Sequence, residues 1–414
     1  MSLTQQQRDL RQQVREFSEA EIAPRVHSLE TERSVEQALP RLIARQGWIG
    51  VAISRRFGGI GAGHRAKTLV IEELSRVSAA MGAAVQASQL GTAPIVHFGS
   101  DMQRKTWLPQ IAEGSCLPTI AVTEPGSGSH VLGMESTARR SRAGYVLTGR
   151  KCYVGNSHIG GVHCVVARTG KGTGPRSLSA FLVEADRPGL SLVPYRPRHG
   201  LTGFSFGELV LDECRIPAAN MIGRPGDGQA VAYSSSVLYG RPNLAAVALG
   251  VHQAVMDTTS TYARTQRRYG RPLAALPIVE QRLGQIRAGL MSGRVIAYSA
   301  AAMLDRGEPC DDELVNSKLQ NARWVLESAR TAMKVHGAAA LSPEQDIERF
   351  HRDAQHIWAP AGTGDIQQKR LAEGVTGHER HLPWSVRLAD SLATTRDGIA
   401  PSPVPCGALA EAHA

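Results

Sequence analysis

The 414-residue chain predicts an α+β fold, mostly helical, in three parts: an N-terminal helical domain (1–117), a middle β domain (118–228) and a C-terminal four-helix bundle (229–382). Two observations predict it. In the outer parts, apolar residues recur every three or four positions, the period of helices with one buried face. Between them stand short runs of alternating, β-branched character, punctuated by Gly and Pro, which is strand composition. Beyond 382 the period fades, and IAPSPVPCG within 383–414 predicts a mobile tail.

Taken in order, Leu10, Val14, Phe17 and Ile22 mark helices over 4–47, with a break at Ala23-Pro24. Phe57-Gly58-Gly59-Ile60-Gly61 is a loop that no helix would carry. An amphipathic helix follows over 67–77 through Glu72 and Glu73, and another over 83–98, before Gly99 and a polar segment ending in Leu108-Pro109. A strand over 120–123 runs into a turn of small residues, Glu124 to Ser129. Further strands are predicted at 144–148, 162–167, 179–183, 190–194 and 207–211. Helices are predicted at 231–266, 278–304, 311–336 and 343–357, and their short connections imply antiparallel packing. Asp312 and Glu313 suit the positive N-terminal end of the third.

The hydrophobic fraction is 42%, no apolar run is long enough to span a bilayer, and the first residues are polar, so a soluble cytoplasmic protein is expected. Six cysteines without CxxC spacing or metal-ligand rhythm imply reduced thiols and no metal centre. The net charge of +10 is carried mostly by Arg. It is either a solvated surface or an attraction for acidic partners, such as the phosphates of a CoA thioester or an acidic acyl carrier protein. The basic residues are scattered and no binding motif accompanies them, which argues against nucleic acid.

Several stretches in one order resemble the acyl-CoA dehydrogenase family over about residues 4 to 382. They are FGGIG, IEEL and FGSDMQRKTWLPQIAEGS, then TEPGSGS at 123–129, GRKCYVGN at 149–156, YARTQRRYGRPL at 262–273, and RDAQHIWAPAGTGDIQQKR at 352–370. The resemblance implies FAD lying along Val122, Thr123, Gly128 and Ser129, with Tyr153 packed on the flavin ring and Gly155 at the N5 edge. It implies further cofactor contacts at Gln266, Arg268, Tyr269, Lys334, Gly337, Thr363 and Asp365. Because the family's FAD site spans subunits, a homodimer or homotetramer is expected.

The departures bear on the reaction. The family's catalytic Glu precedes G-T, and here that position is Ala361; members that supply the Glu before an Arg in the bundle's first helix correspond to Gly240, before Arg241. Neither side chain accepts a proton. A positioned base contributes about 10²–10⁴-fold, so ordinary α,β-desaturation is expected to be slow. His130, Tyr239 and Arg241 are the remaining candidates for a catalytic role. Gly155 lacks the family's hydroxyl, Gln266 and Arg268 exchange the family's Arg and Gln, and Lys334 replaces a Gln.

The resemblance therefore implies a flavoprotein acting on an acyl thioester, on CoA or an acyl carrier protein, by a non-standard mechanism, as in a secondary-metabolic pathway. Three alternatives stand beside it. They are a flavin-dependent monooxygenase or oxidase, a flavin-free enzyme of elimination, isomerisation or cyclisation, and a non-catalytic subunit of a hetero-oligomeric dehydrogenase.

Overall fold

The computed structural model of the chain describes residues 3–376, 382–389 and 391. The order helical, β, helical is observed. The first block holds α1 (Gln5–Phe17), α2 (Val26–Glu32), α3 (Ala38–Arg45), α4 (Gly63–Val77), α5 (Ala79–Phe98) and α6 (Asp101–Ala112). The polar stretch after Gly99 is thus a helix. Ser100 Oγ accepts from Gln103 N while Gln103 Oε1 accepts from Ser100 N, a reciprocal cap that outweighs the Pro109 near its end. On α4, Glu72 and Glu73 lie inside the fold: Glu72 accepts from Arg294 Nε at 3.0 Å and Tyr298 Oη at 2.7 Å, and Glu73 from Arg15 Nε at 3.1 Å. These bonds tie α4 to the bundle and to α1.

The β domain is one eight-stranded sheet of β1 (Pro118–Ala121), β2 (Thr137–Ser141), β3 (Gly144–Gly155), β4 (Val162–Arg168), β5 (Leu178–Glu184), β6 (Leu190–Leu192), β7 (Phe206–Pro217) and β8 (Met221–Ile222). The order is β6-β7-β3-β2-β4-β5-β8, with β1 parallel to β4. β2, TARRS, escaped the sequence reading because it has one β-branched residue and faces solvent at most positions. The β3–β7 ladder is irregular between Lys151 and Val154, and at that point Tyr153 takes φ +56°. Gly91 of α5 joins the first two blocks. A β-carbon there would stand 2.5 Å from Thr119 N, so only glycine lets α5 lie directly on β1.

The last block comprises α7 (Gly228–Ser235), a π-turn (Ser236–Gly240), α8 (Arg241–Thr265), a two-stranded ribbon of β9 (Arg267–Arg268) and β10 (Arg271–Pro272), α9 (Pro277–Arg306), α10 (Asp311–His336), α11 (Asp346–Ile357), α12 (Gly364–Val375) and α13 (Trp384–Arg387). The single helix predicted from 231 is therefore interrupted. Pro242 cannot donate to Leu238 O, and the buried Lys67 Nζ does so at 3.3 Å, standing 4.2 Å from the centre of the Tyr239 ring. The first described residues of the expected tail pack on the bundle. Asp311 accepts from Trp384 N at 2.7 Å and Ser385 N at 3.0 Å, and Trp384 and Leu388 pack on Tyr239, Leu304 and Leu314. The rest of 392–414 lies outside the described residues.

The RDA part of the C-terminal signature has a structural duty. Arg352 pairs with Glu30 of α2 at 2.8 Å, and Asp353 accepts from Leu201 N at 2.6 Å. Together they fix α11 against both the first block and the loop before β7.

Candidate active site

The turn Thr123–Ser129 is held from beneath by a buried ion pair. Lys151 Nζ stands 2.7 Å from Glu124 Oε1 and donates to Val122 O at 3.0 Å. Glu124 also accepts from Glu135 N at 2.6 Å and Ser136 N at 3.0 Å. Burial alone raises a carboxyl pKa, but Lys151 and these donors outweigh it and hold Glu124 below its ordinary value. Cys152 N donates to Thr123 O at 2.9 Å, and Ser127 Oγ to His130 O at 2.6 Å. The turn is thus rigid on its inner side. On its outer side a β-carbon on Gly126 or Gly128 would meet nothing within 4 Å, so the backbone there is open to a ligand. Val122 and Thr123 are half-buried; Ser129 and His130 are exposed, His130 beside Gly133.

Tyr153 follows on β3, 54% exposed, with its ring 5.6 Å from that of Phe206 and 5.6 Å from the Arg198 guanidinium. Two residues on, a β-carbon at Gly155 would lie 2.7 Å from Ala87 Cβ and 3.1 Å from Phe204 Cζ. The missing hydroxyl therefore follows from packing: α5 and Phe204 occupy the space a side chain would need. His356 of α11 meets Phe206 edge-on at 5.0 Å, and burial lowers its pKa to about 4, so it is neutral.

One turn along α5 from Ala87, Leu90 reaches the place where Gly240 and Ala361 meet. A β-carbon built on Gly240 would lie 2.9 Å from Ala361 Cβ and 3.5 Å from Leu90 Cδ1. Ala361 has φ +55°, a left-handed conformation that L-residues rarely adopt. Two side chains hold its loop there. Gln367 Nε2 bonds Ala361 O at 2.9 Å, and Lys318 Nζ bonds Trp358 O at 2.6 Å and Gly362 O at 2.8 Å. Burial, and then the nearby charge of Arg241, lowers the Lys318 pKa to about 7. Thr363 caps α12, its Oγ1 accepting from Ile366 N at 3.4 Å, while Asp365 points to solvent.

Of the remaining catalytic candidates, Tyr239 is buried between His64, His97 and Lys67, and burial raises its phenol pKa. It is an acid held protonated, not a base. Arg241 is buried beside Gly240. The second group of predicted cofactor contacts lies apart from the turn. Gln266, Arg268 and Tyr269 belong to the ribbon between α8 and α9, with Tyr269 91% exposed. Lys334 and Gly337 close α10, where Gly337 faces open space and His336 stacks 4.0 Å over Tyr262.

Sequence reading missed Lys318, Lys67 and the Glu124–Lys151 pair. A signal existed for the first: Leu314, Lys318, Ala322 and Val325 form one buried helical stripe, so a lysine interrupts a core face. Lys67 heads a similar stripe with Val70, Ile71 and Leu74.

A helical block, a single sheet carrying a Thr-Glu-Pro turn, and a helical bundle, in that order, define a protein of the acyl-CoA dehydrogenase type. The chain belongs to the acyl-CoA dehydrogenase family. Residues 4–115, 119–214 and 226–376 match that family's N-terminal, middle and C-terminal domains. It is 31% identical over 378 residues to an acyl-CoA dehydrogenase of Bacillus subtilis, covering 91% of this chain and 100% of the relative. The butyryl-CoA dehydrogenase structure from Megasphaera elsdenii superposes with a TM-score of 0.89 at 25% identity, over 91% of this chain and 99% of that one. An FAD complex of PigA superposes with a TM-score of 0.87, also at 25% identity, over 91% and 99%.

Proposed function

We propose that the protein is an FAD-dependent oxidoreductase of an acyl thioester, carried on CoA or an acyl carrier protein, in which no protein carboxylate removes the α-proton. The observation that supports this most directly is the contact between Gly240 and Ala361, which leaves both customary base positions without an acceptor.

The residues present fit the flavin. Gly126, Gly128 and Gly337 leave open space beside their backbones, and Tyr153 offers an exposed ring. Among the described residues, the two buried ring nitrogens of His336 have no hydrogen-bond partner, which suits a polar cofactor edge near Gly337. When bound, FAD supplies the two-electron acceptor. The chain does the rest. The Thr123–Ser129 turn, locked by Lys151 and Glu124, orients backbone groups toward the cleft, where they stabilise negative charge on a thioester oxygen. Ala87, Leu90 and Ala361 exclude water from the acyl group, and Lys318 fixes the loop that carries Ala361. The exposed ribbon bearing Arg268 and Tyr269 is the surface on which a second copy would complete a cofactor site, in a homodimer or homotetramer.

The visible spectrum of the purified protein tests this. Flavin absorbance that bleaches on anaerobic addition of an acyl-CoA or acyl-carrier thioester is expected. A colourless protein that cannot be reconstituted with FAD would overturn it.

A further inference from the structure

A groove of about 560 Å³ opens at the seam between the first helical block and the β domain, a volume within the range of small-molecule sites. Three segments wall it. α3 brings Arg41 and Arg45, the link from α6 to β1 brings Glu113 and Ser115, and the link from β3 to β4 closes the far side. Leu117 and Ile159, both buried, give it an apolar patch. The walls are rigid. Gly114 takes φ +80°, and a β-carbon there would stand 2.4 Å from Ala44 C, so the first link lies directly on the last turn of α3. A β-carbon at Gly160 would meet Thr119 Cγ2 at 2.7 Å, and Gly161 N donates to Leu117 O at 2.9 Å, which ties the two links together. The groove is therefore preformed, and a ligand entering it needs little ordering of the protein.

Its charge is not balanced. Arg41 and Arg45 are exposed, stand one turn apart on one face of α3, and among the described residues neither guanidinium has a hydrogen-bond or ion-pair partner. Glu113 is the one carboxylate on the wall; its Oε1 accepts from Ser115 Oγ at 2.8 Å, and it pairs with neither arginine. The carbonyls that end α3 would oppose an anion, but Gly47 N and Gln46 N already donate to Ala44 O and Ile43 O at 2.8 and 3.1 Å.

We propose that this groove is a second binding site, for the phosphomonoester of a hydroxylated small molecule, a sugar phosphate or a nucleotide. Arg41 and Arg45 take the phosphate, whose oxygens match the paired N–H donors of a guanidinium. Glu113 accepts from the ligand's hydroxyl groups, and Leu117 and Ile159 receive its carbon skeleton. Glu113 is also what selects an ester over a bare anion, because inorganic phosphate gains nothing from a carboxylate beside it. The groove is separate from the Thr123–Ser129 turn. It lies before β1 and the turn lies after it, with the four residues of that strand, at about 3.3 Å each, between them. Binding here is independent of the acyl-thioester function proposed above.

The test is calorimetry on the full-length protein as purified, in about 0.15 M salt so that distant surface charges are screened. The probes are ribose 5-phosphate against ribose, AMP against adenosine, and inorganic phosphate. At least one ester should bind about tenfold tighter, or more, than its phosphate-free partner, and tighter than inorganic phosphate. Equal affinity for the two esters assigns the site to sugar phosphates, and tighter AMP assigns it to nucleotides. Arg41→Met and Arg45→Met should each remove most of the gain, and the double variant all of it. Because neither arginine has a partner in the protein, all three variants should melt as the parent does. Arg139→Met, at an exposed arginine of β2, should leave binding unchanged. Hydrogen exchange should slow at 113–117 and 159–161 when the ester binds. No preference for either ester over its phosphate-free partner, or inorganic phosphate bound as tightly as both, would overturn the proposal. So would affinity that survives the double variant or falls equally in Arg139→Met, or protection at 123–129 in place of the groove.

Discussion

Gly240 and Ala361, far apart in sequence, face each other so closely that a β-carbon on Gly240 would lie 2.9 Å from Ala361 Cβ. The two positions that the sequence resemblance assigns to the catalytic Glu therefore adjoin in space, approached from the π-turn before α8 and from the loop before α12. Only one side chain of any length fits there. In this chain neither residue provides it.

The contact predicts how carboxylates can be introduced. Gly240→Glu alone puts its β-carbon against Ala361 Cβ, and overpacking of this kind costs about 1–3 kcal/mol. Adding Ala361→Gly removes the obstructing methyl and also relieves φ +55°. The double variant should melt higher than Gly240→Glu by thermal denaturation. A double variant as unstable as the single one would mean that the two residues do not meet.

Gly155→Thr restores the hydroxyl type found in the family pattern, yet it should not restore a flavin contact. Its β-carbon would meet Ala87 Cβ at 2.7 Å and Phe204 Cζ at 3.1 Å, so a stability loss of about 1–3 kcal/mol is expected in urea unfolding. Full stability together with a shifted flavin spectrum would contradict this.

Lys151→Met should loosen the Thr123–Ser129 turn. Breaking one side of a buried ion pair costs about 3–5 kcal/mol, because Glu124 is left charged and enclosed. Lys151→Met should lose FAD on gel filtration and melt well below the parent, and adding Glu124→Gln should recover part of the melting temperature.

Lys67 and Lys318 predict a pH dependence. Burial lowers both pKa values to about 7, whereas an unfolded chain holds these protons to about pH 10.4. Between those limits the unfolded state binds more protons. Stability from these groups therefore rises as pH goes from 7 toward 10, by about 1.4 kcal/mol per pH unit for each lysine. Chemical denaturation across that range should show the rise, and Lys318→Met should flatten it by one lysine's share. An unchanged slope in Lys318→Met would mean that its amine stays charged in the fold.

Much of this was readable in the chain itself. The change from helical period to strand alternation near Leu117 marks the β domain, TEPGSGS marks the turn, and Ala361 and Gly240 stand where the resemblance expects a carboxylate. Other features depend on contacts between residues distant in sequence. Period alone says nothing of whether Gly240 meets Ala361, or that Ala87 and Phe204 crowd Gly155. The π-turn at Ser236–Gly240 interrupts an apolar run whose composition reads as continuous helix, and Pro242 was its one local sign. Lys318 and Lys67 look like solvated lysines until their helical faces are traced into the core. α13 was hidden because its stability comes from capping by Asp311, not from its own period.

The most direct test follows the α-proton of butyryl-CoA, which brings no carboxylate of its own, by NMR in deuterated buffer with the FAD-loaded protein. Wild type should exchange slowly. Ala361→Glu, with room provided by Gly240, should exchange about 10²–10⁴-fold faster. Wild-type exchange as fast as that of Ala361→Glu would contradict the absence of a protein base.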